Sequence, residues 1–120
     1  MTAATSHDTQ LLKGALVLVL LRLLDRNESY GYELVGRVRA AGLTQVPEGS
    51  IYPALSRLER DGHLSARMVP AQSGPARKYL SLSPSGRQFM AERTRAWHSL
   101  AAVIDPLLAD DTHEVVEATQ

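Results

Sequence analysis

Residues 48–62 read EGSIYPALSRLERDG, and residues 74–86 read GPARKYLSLSPSG. The first stretch predicts a short amphipathic helix whose outer side carries hydroxyl and basic groups. The second predicts the return strand of a hairpin that runs into another helix. A helix followed at once by a basic hairpin is the arrangement with which a winged helix-turn-helix grips duplex DNA. The pairing therefore predicts a mainly α chain with a small β-hairpin, a winged helix-turn-helix extended by a long C-terminal helix.

Length and composition narrow the alternatives. A chain of 120 residues has room for one domain with one modest core and none for a separate catalytic domain. Cysteine is absent, which excludes disulfides, thiolate nucleophiles and cysteine-ligated metal. The longest apolar run, Ala15 to Leu21, is too short to span a bilayer. It follows Lys13 without a small-residue cleavage pattern, so no signal peptide and no membrane association are expected, and a reducing cytoplasm is the default compartment.

Net charge is zero, which looks wrong for a DNA binder, but the charges are segregated. Residues 1–95 hold all 13 Lys and Arg against 8 Asp and Glu, a balance of +5, whereas residues 96–120 hold 5 acids and no base. Residues 57–95 alone carry 8 basic and 3 acidic groups. The middle of the chain can face phosphate while the acidic end stays away from it. Ordinary solvated faces would give the same counts, so charge alone does not decide.

Along the chain, residues 1–8 have little to bury and read as a flexible arm. Residues 9–83 would form the DNA-binding domain, 84–108 a dimerisation helix and 109–120 an acidic flexible tail. Leu11 to Leu24 predicts a helix buried over most of its surface, with Leu11, Ala15, Leu18, Val19 and Arg22 loosely marking one face; a buried strand competes over 15–21. Ser29 to Ala41 predicts a second helix, with Tyr30, Leu34, Val38 and Ala41 at helical spacing and Gly42 at its exit. After a turn over Leu43–Gly49, the third helix is expected to begin at Ser50 as N-cap. That places Pro53 in the first turn, where its missing N–H costs nothing. Ile51, Leu55 and Leu58 mark its buried side, and Gly62 ends it. Leu64–Val69 and Arg77–Leu82 predict the two strands of the wing, with a tip over Pro70–Pro75. Ser83-Pro84 is a strong helix start, and the last helix is expected to reach Asp105 or Leu108, with Pro106 interrupting beyond.

From Pro84 to Leu108, such a helix would extend roughly 37 Å, against a radius of gyration of about 14 Å for a compact chain of this size. It is expected to project from the domain, and Phe89, Met90, Trp97, Leu100, Ala101, Val103, Ile104, Leu107 and Leu108 need a cover. A second copy of the chain is the simplest one, with Leu11 and its helix adding apolar surface, and a two-fold homodimer follows. Folding back on its own domain is the alternative.

Five blocks of this sequence, in order, resemble the PadR family of bacterial transcriptional regulators, especially its short members with a single C-terminal helix. Leu11-Leu12-Lys13-Gly14 is similar to the family's LLKG, and Tyr30-Gly31-Tyr32-Glu33-Leu34 to its YGYE(I/L). Residues 48–59, EGSIYPALSRLE, resemble EG(T/S)LYPxLxRLE. Residues 74–79 resemble GPxRKY, and residues 82–87 resemble the LTxxGR that opens the last helix. His63 stands where the family usually has an aliphatic residue, Leu80 replaces a common second tyrosine, and Leu64–Val69 lacks a frequent tryptophan. The resemblance implies a winged helix-turn-helix homodimer that binds a promoter palindrome, usually represses, and in many members responds to an effector.

Eight residues are candidates for contact with double-stranded promoter DNA. Tyr52 could donate its hydroxyl to phosphate or pack its ring on the domain, and the resemblance favours the phosphate contact. Ser50 is a cap first and, with its neighbouring amides, a phosphate holder second. Ser56, Arg57 and Arg60 face the groove, where arginine reads guanine by paired hydrogen bonds; Arg60 could instead pair with an acid, and Arg57 could grip backbone. Arg77 and Lys78 point to opposite faces of a strand, so one meets phosphate while the other supports the hairpin. Arg67 on the first wing strand is the weakest of the eight.

Leu11, Trp97, Leu100, Ala101, Ile104, Leu107 and Leu108 form the candidate dimer and effector surface. A small aromatic or hydrophobic effector could stack on Trp97, although a lone tryptophan at helical spacing is more often interface core. His7, His63, His98 and His113 have no metal-ligand spacing, and neither a metal site nor a cofactor is expected. No catalytic constellation stands out, so an enzyme is not expected. A winged-helix module that docks proteins without specific DNA binding is the competing function. The basic groups at Arg57, Arg60, Arg77 and Lys78 argue against it.

Overall fold

Leu16, Leu20, Leu21 and Leu24 lie on one side of a helix and are all buried, which decides the competition between helix and strand for the first apolar run. The computed structural model describes residues 9–118, with side chains from Leu11 to Ala109. The expected arm over residues 1–8 lies outside the described residues. Within them the elements run α1 (Thr9–Arg26), β1 (Ser29–Tyr30), α2 (Gly31–Ala40), α3 (Glu48–Arg60), β2 (Leu64–Val69), β3 (Arg77–Leu82) and α4 (Pro84–Ala118). The fold is mainly helical with one small antiparallel sheet, as expected. The buried face of α1 is set by Leu16, Leu20 and Leu24 rather than by Leu11, Ala15, Leu18 and Arg22.

The core joins α1 to Leu34, Val35 and Val38 of α2, to Ile51, Ala54, Leu55 and Leu58 of α3, and to Leu64, Leu80 and Leu82 of the sheet. Val46, in the turn before α3, is also buried. Its carbonyl accepts a 3.1 Å hydrogen bond from Arg39 Nη2, which ties the turn back to α2. Both α2 and α3 end in the same way. The Gly42 amide donates to Arg39 O and the Leu43 amide to Val38 O; the Gly62 amide donates to Glu59 O and the His63 amide to Leu58 O. These are Schellman endings, which need a residue at positive φ; Gly42 sits at 125° and Gly62 at 85°.

Two expectations about helix starts are corrected. Ser29 and Tyr30 do not open α2 but form β1, which pairs antiparallel with β3 through Ser29 opposite Leu80 and Tyr30 opposite Tyr79. The wing is thus the outer part of a three-stranded sheet of order β1-β3-β2. Nor is Ser50 the cap of α3. The helix begins at Glu48, Pro47 occupies the N-cap without any side-chain cap bond, and the Ser50 amide donates to Pro47 O at 3.0 Å. Pro47 provides a fixed extended φ of −75°, and Glu48 places a negative charge at the positive end of the helix dipole. Pro53 consequently falls past the first turn and leaves the carbonyl of exposed Gly49 to solvent.

Arg37 closes the other end of α1. Its guanidinium donates to Leu23 O at 2.7 Å, to Asn27 O at 3.0 Å and to the hydroxyl of fully buried Ser29. One side chain thereby adds a second donor to Leu23 O, which already accepts the Asn27 amide, and satisfies the Asn27 carbonyl and the hydroxyl of a buried strand residue.

The start of α4 follows the expectation. Ser83 Oγ accepts the Gly86 amide at 3.0 Å and donates to Gly62 O at 2.7 Å. The Ser83 amide donates to His63 O at 3.1 Å. His63 stacks on Phe89 with ring centroids 4.1 Å apart and 4° between planes, and its Nδ1 is 3.0 Å from Ser85 Oγ. A planar ring at residue 63 therefore does the packing expected of an aliphatic side chain.

The chain divides into one unit ending at Met90 and another beginning at Ala91. The second unit is the remainder of α4, which passes Pro106 and Leu108 and continues to Ala118. The helix does not stop near 105–108 because proline removes a single bond, to the carbonyl of residue 102, and the turns on either side keep theirs. Within this unit Trp97, Leu100, Ile104, Leu107 and Leu108 recur at helical spacing and are exposed. Among the described residues no helix is long and apolar enough to cross a membrane.

Candidate nucleic-acid interface

The outward side of α3 is built by subtraction. Ile51, Ala54, Leu55 and Leu58 turn into the core, so Tyr52, Ser56, Arg57 and Arg60 are left facing outward and are exposed. Tyr52, Ser56 and Arg60 follow at intervals of four and form one row. The side chain of Arg60 is 72% exposed, with Nε 4.0 Å from Asp61 Oδ1, the limit of an ion pair. Among the described residues Arg57 has no carboxylate partner. It lines an open groove of about 390 Å³ between α1 and α3, together with Lys13, Leu16, Ser50 and Pro53.

Tyr52 packs and is exposed at once. Its ring rests against Gly31, where a Cβ would lie 2.7 Å from Tyr52 Cε1. The tyrosine keeps 39% of its surface open. Ser50 is half-buried in the first turn of α3, where it lines the groove and does not cap the helix.

The sheet separates Arg77 from Lys78, as strand alternation requires. Lys78 lies on the side of the sheet facing α3, where its Nζ donates to Glu59 Oε1 at 2.8 Å. Arg77 lies on the other side, its guanidinium 4.5 Å from the centroid of Tyr30. Tyr30 meets Tyr79 edge to face at 5.3 Å. Arg67, opposite Tyr79 in the register, completes the row with its guanidinium 5.8 Å from that ring. The short β1, which sequence periodicity missed, is thus what supplies the platform for Arg77.

Arg67 differs from the other candidates because two bonds, not one, hold it to an acid. Its Nε donates to Glu28 Oε1 at 2.9 Å and its Nη2 to Glu28 Oε2 at 2.5 Å, a bidentate pair. These hydrogen bonds from Arg67 hold the Glu28 carboxyl below its ordinary range, and Glu28 in turn raises the Arg67 guanidinium. The pair fastens the first wing strand to the segment after α1. Glu28 and Glu59 were not legible as partners, since 39 and 19 residues separate them from their cations.

The structure therefore brings Tyr52, Ser56, Arg57, Arg60 and Lys78 to α3 and the sheet side next to it. Arg67 and Arg77 lie together on the opposite face of the sheet. Trp97, Leu100, Ile104, Leu107 and Leu108, with half-buried Ala101, belong to the second unit. Leu11 is exposed on the first turns of α1.

Known proteins resemble this chain in sequence and fold. The sequence profile of the "Transcriptional regulator PadR-like family" matches residues 20–92. A transcriptional regulator of Streptococcus is 37% identical, with 83% of this chain and 98% of that one covered and a TM-score of 0.74. A PadR-like transcriptional regulator from Bacillus cereus is 33% identical over 83% of this chain and 97% of its own, again with a TM-score of 0.74. A PadR family transcriptional regulator from Eggerthella lenta is 30% identical over 82% and 86%, with a TM-score of 0.75.

Proposed function

The chain belongs to the PadR-like family of transcriptional regulators, and from that premise we propose that it is a repressor that binds a palindromic operator as a homodimer. The family regulates transcription through DNA and is not a family of enzymes. The observation that carries the finer reading is the exposed row of Tyr52, Ser56 and Arg60 on α3 with Arg57 beside it and Lys78 reaching across from the sheet. α3 acts as the recognition helix. Arg57 and Arg60 meet base edges or the backbone beside them, and Tyr52 and Ser56 meet phosphate. Lys78 meets a flanking phosphate, and Arg77, stacked on Tyr30 on the other face of the sheet, supports the wing. Ser50 contributes through its side chain, which lines the groove beside Arg57 and does not cap the helix, its amide being engaged by Pro47 O.

The exposed stripe of Trp97, Leu100, Ala101, Ile104, Leu107 and Leu108 supports pairing with a second copy, joined by Leu11 and α1. The two recognition helices then enter successive major grooves about 34 Å apart. A small aromatic or hydrophobic effector bound at Trp97 would alter the relation of the two helices and so the spacing. A site of action in the bacterial cytoplasm goes with this reading, because promoter DNA is there.

Fluorescence anisotropy tests it. Purified protein is titrated into a duplex from its own upstream region and into a scrambled duplex, across a salt series. Tighter binding to the native duplex, lost in Arg57→Ala, is the expected result. Equal weak binding to both would remove sequence-specific recognition of that region, and no binding at low salt would favour a protein-docking module.

A further inference from the structure

Glu59 is a carboxylate on the face of α3 that otherwise carries hydroxyls and arginines. It follows Ser56 by three residues and precedes Arg60, so it stands at the end of the outward row. A carboxylate there repels phosphate unless something neutralises it. Lys78 does so, with Nζ 2.8 Å from Glu59 Oε1. Neither partner is sequestered: the side chains keep 50% (Lys78) and 35% (Glu59) of their surface exposed. A solvent-exposed pair of this kind is weak and opens readily.

We propose that Glu59 is an internal competitor for Lys78, a carboxylate that occupies the wing lysine in the free protein and thereby restrains sequence-independent binding to DNA. The inference rests on the DNA-binding reading above. A lysine that enters a complex already paired brings no net charge, so it releases no net counterion. When Lys78 moves from Glu59 to a phosphate, the freed carboxylate takes up a cation, which offsets the one that the phosphate loses. Sequence-independent affinity comes almost wholly from such release, so it is where the restraint is felt. Arg67 does not behave in this way: two aligned bonds hold it to Glu28, whereas the Lys78 ammonium uses one of its three donors on Glu59.

The experiment is a double-mutant cycle on a scrambled duplex. Wild type, Glu59→Gln, Lys78→Gln and the double variant are compared by anisotropy across a salt series, with thermal melts to show that each is folded. Glu59→Gln should bind about 3- to 10-fold more tightly, with a salt dependence steeper by about one counterion per subunit. In the Lys78→Gln background the same change should shift affinity by less than about twofold, because the competitor then has nothing to hold. Should the glutamine variant melt early, Glu59→Ala repeats the comparison. Unchanged affinity in Glu59→Gln while wild type binds overturns the inference alone. An equal gain in both backgrounds also overturns it, since that would be general charge repulsion. Wild type that binds no duplex at the lowest salt overturns the DNA-binding reading and this inference with it.

Discussion

The ring of Tyr52 lies against the backbone of Gly31, so close that a Cβ on residue 31 would be 2.7 Å from Tyr52 Cε1. One contact joins the first residue of α2 to the outward row of α3, and it explains why glycine opens a helix at that point. Gly31→Ala has no backbone penalty to overcome, because its φ is not positive; the cost is the displaced ring. Overpacking of this kind costs about 1–3 kcal/mol. In a cycle with Tyr52→Ala, the double variant should lose less stability than the two single variants together. Strict additivity in urea melts would count against the contact.

Gly86 is a harder case. A Cβ there would lie 2.0 Å from the His63 carbonyl oxygen, a backbone atom that also accepts the Ser83 amide. Neither side can yield without moving the start of α4 off the corner after α3. Gly86→Ala should cost at least about 3 kcal/mol, the upper end of the usual overpacking range. A urea midpoint close to wild type would show that the corner is looser than its geometry.

Arg37 is expected to matter for folding and not for DNA. Its guanidinium serves Leu23 O, Asn27 O and buried Ser29 Oγ together. Arg37→Met should lose about 1–3 kcal/mol by taking this donor from Asn27 O and buried Ser29 Oγ, while Leu23 O keeps the Asn27 amide. Arg37→Lys should recover only part of the loss, since an ammonium cannot span the same fork. Chemical denaturation of the three proteins checks the order.

The Glu28–Arg67 pair gives stability an acid limb. Arg67 lowers the Glu28 pKa in the folded chain, so the pair contributes fully above the unfolded carboxylate value of about 4.3. The contribution is lost as pH falls below that value through the folded one. The raised Arg67 moves the opposite limb only in strongly alkaline solution. Glu28→Gln should therefore flatten the fall in urea midpoint between about pH 5 and pH 3. Parallel curves for the two proteins would mean that other carboxylates carry the whole limb.

The stripe on α4 predicts an oligomeric outcome. Ile104 is 39% exposed and Trp97 49%, and a charge at either position would sit in the proposed seam. Ile104→Glu should shift the mass in solution from dimer to monomer at micromolar concentration and lower the melting temperature. A monomeric wild type would remove the seam.

What the sequence determined by itself was whatever depends on near neighbours. The Schellman exits at Gly42 and Gly62, the Ser83-Pro84 cap, the hairpin from Leu64 to Leu82 and the inward row of Ile51, Leu55 and Leu58 are all local. Each needs only a few adjacent residues to set φ, supply a donor or share a helix face. The outward row of α3 was legible for the same reason. Tertiary structure decided what depends on distant partners. Two residues of strand at Ser29–Tyr30 have no periodicity and exist because β3 offers them a ladder. Pro47 took the start of α3 from Ser50 because the turn, anchored by buried Val46, delivers the chain already extended. Arg67 and Lys78 read alike as cations, yet Glu28 clasps one in two bonds and Glu59 holds the other by one. Which carboxylate reaches which cation is a matter of folded distance, and that distance is set by the core between them.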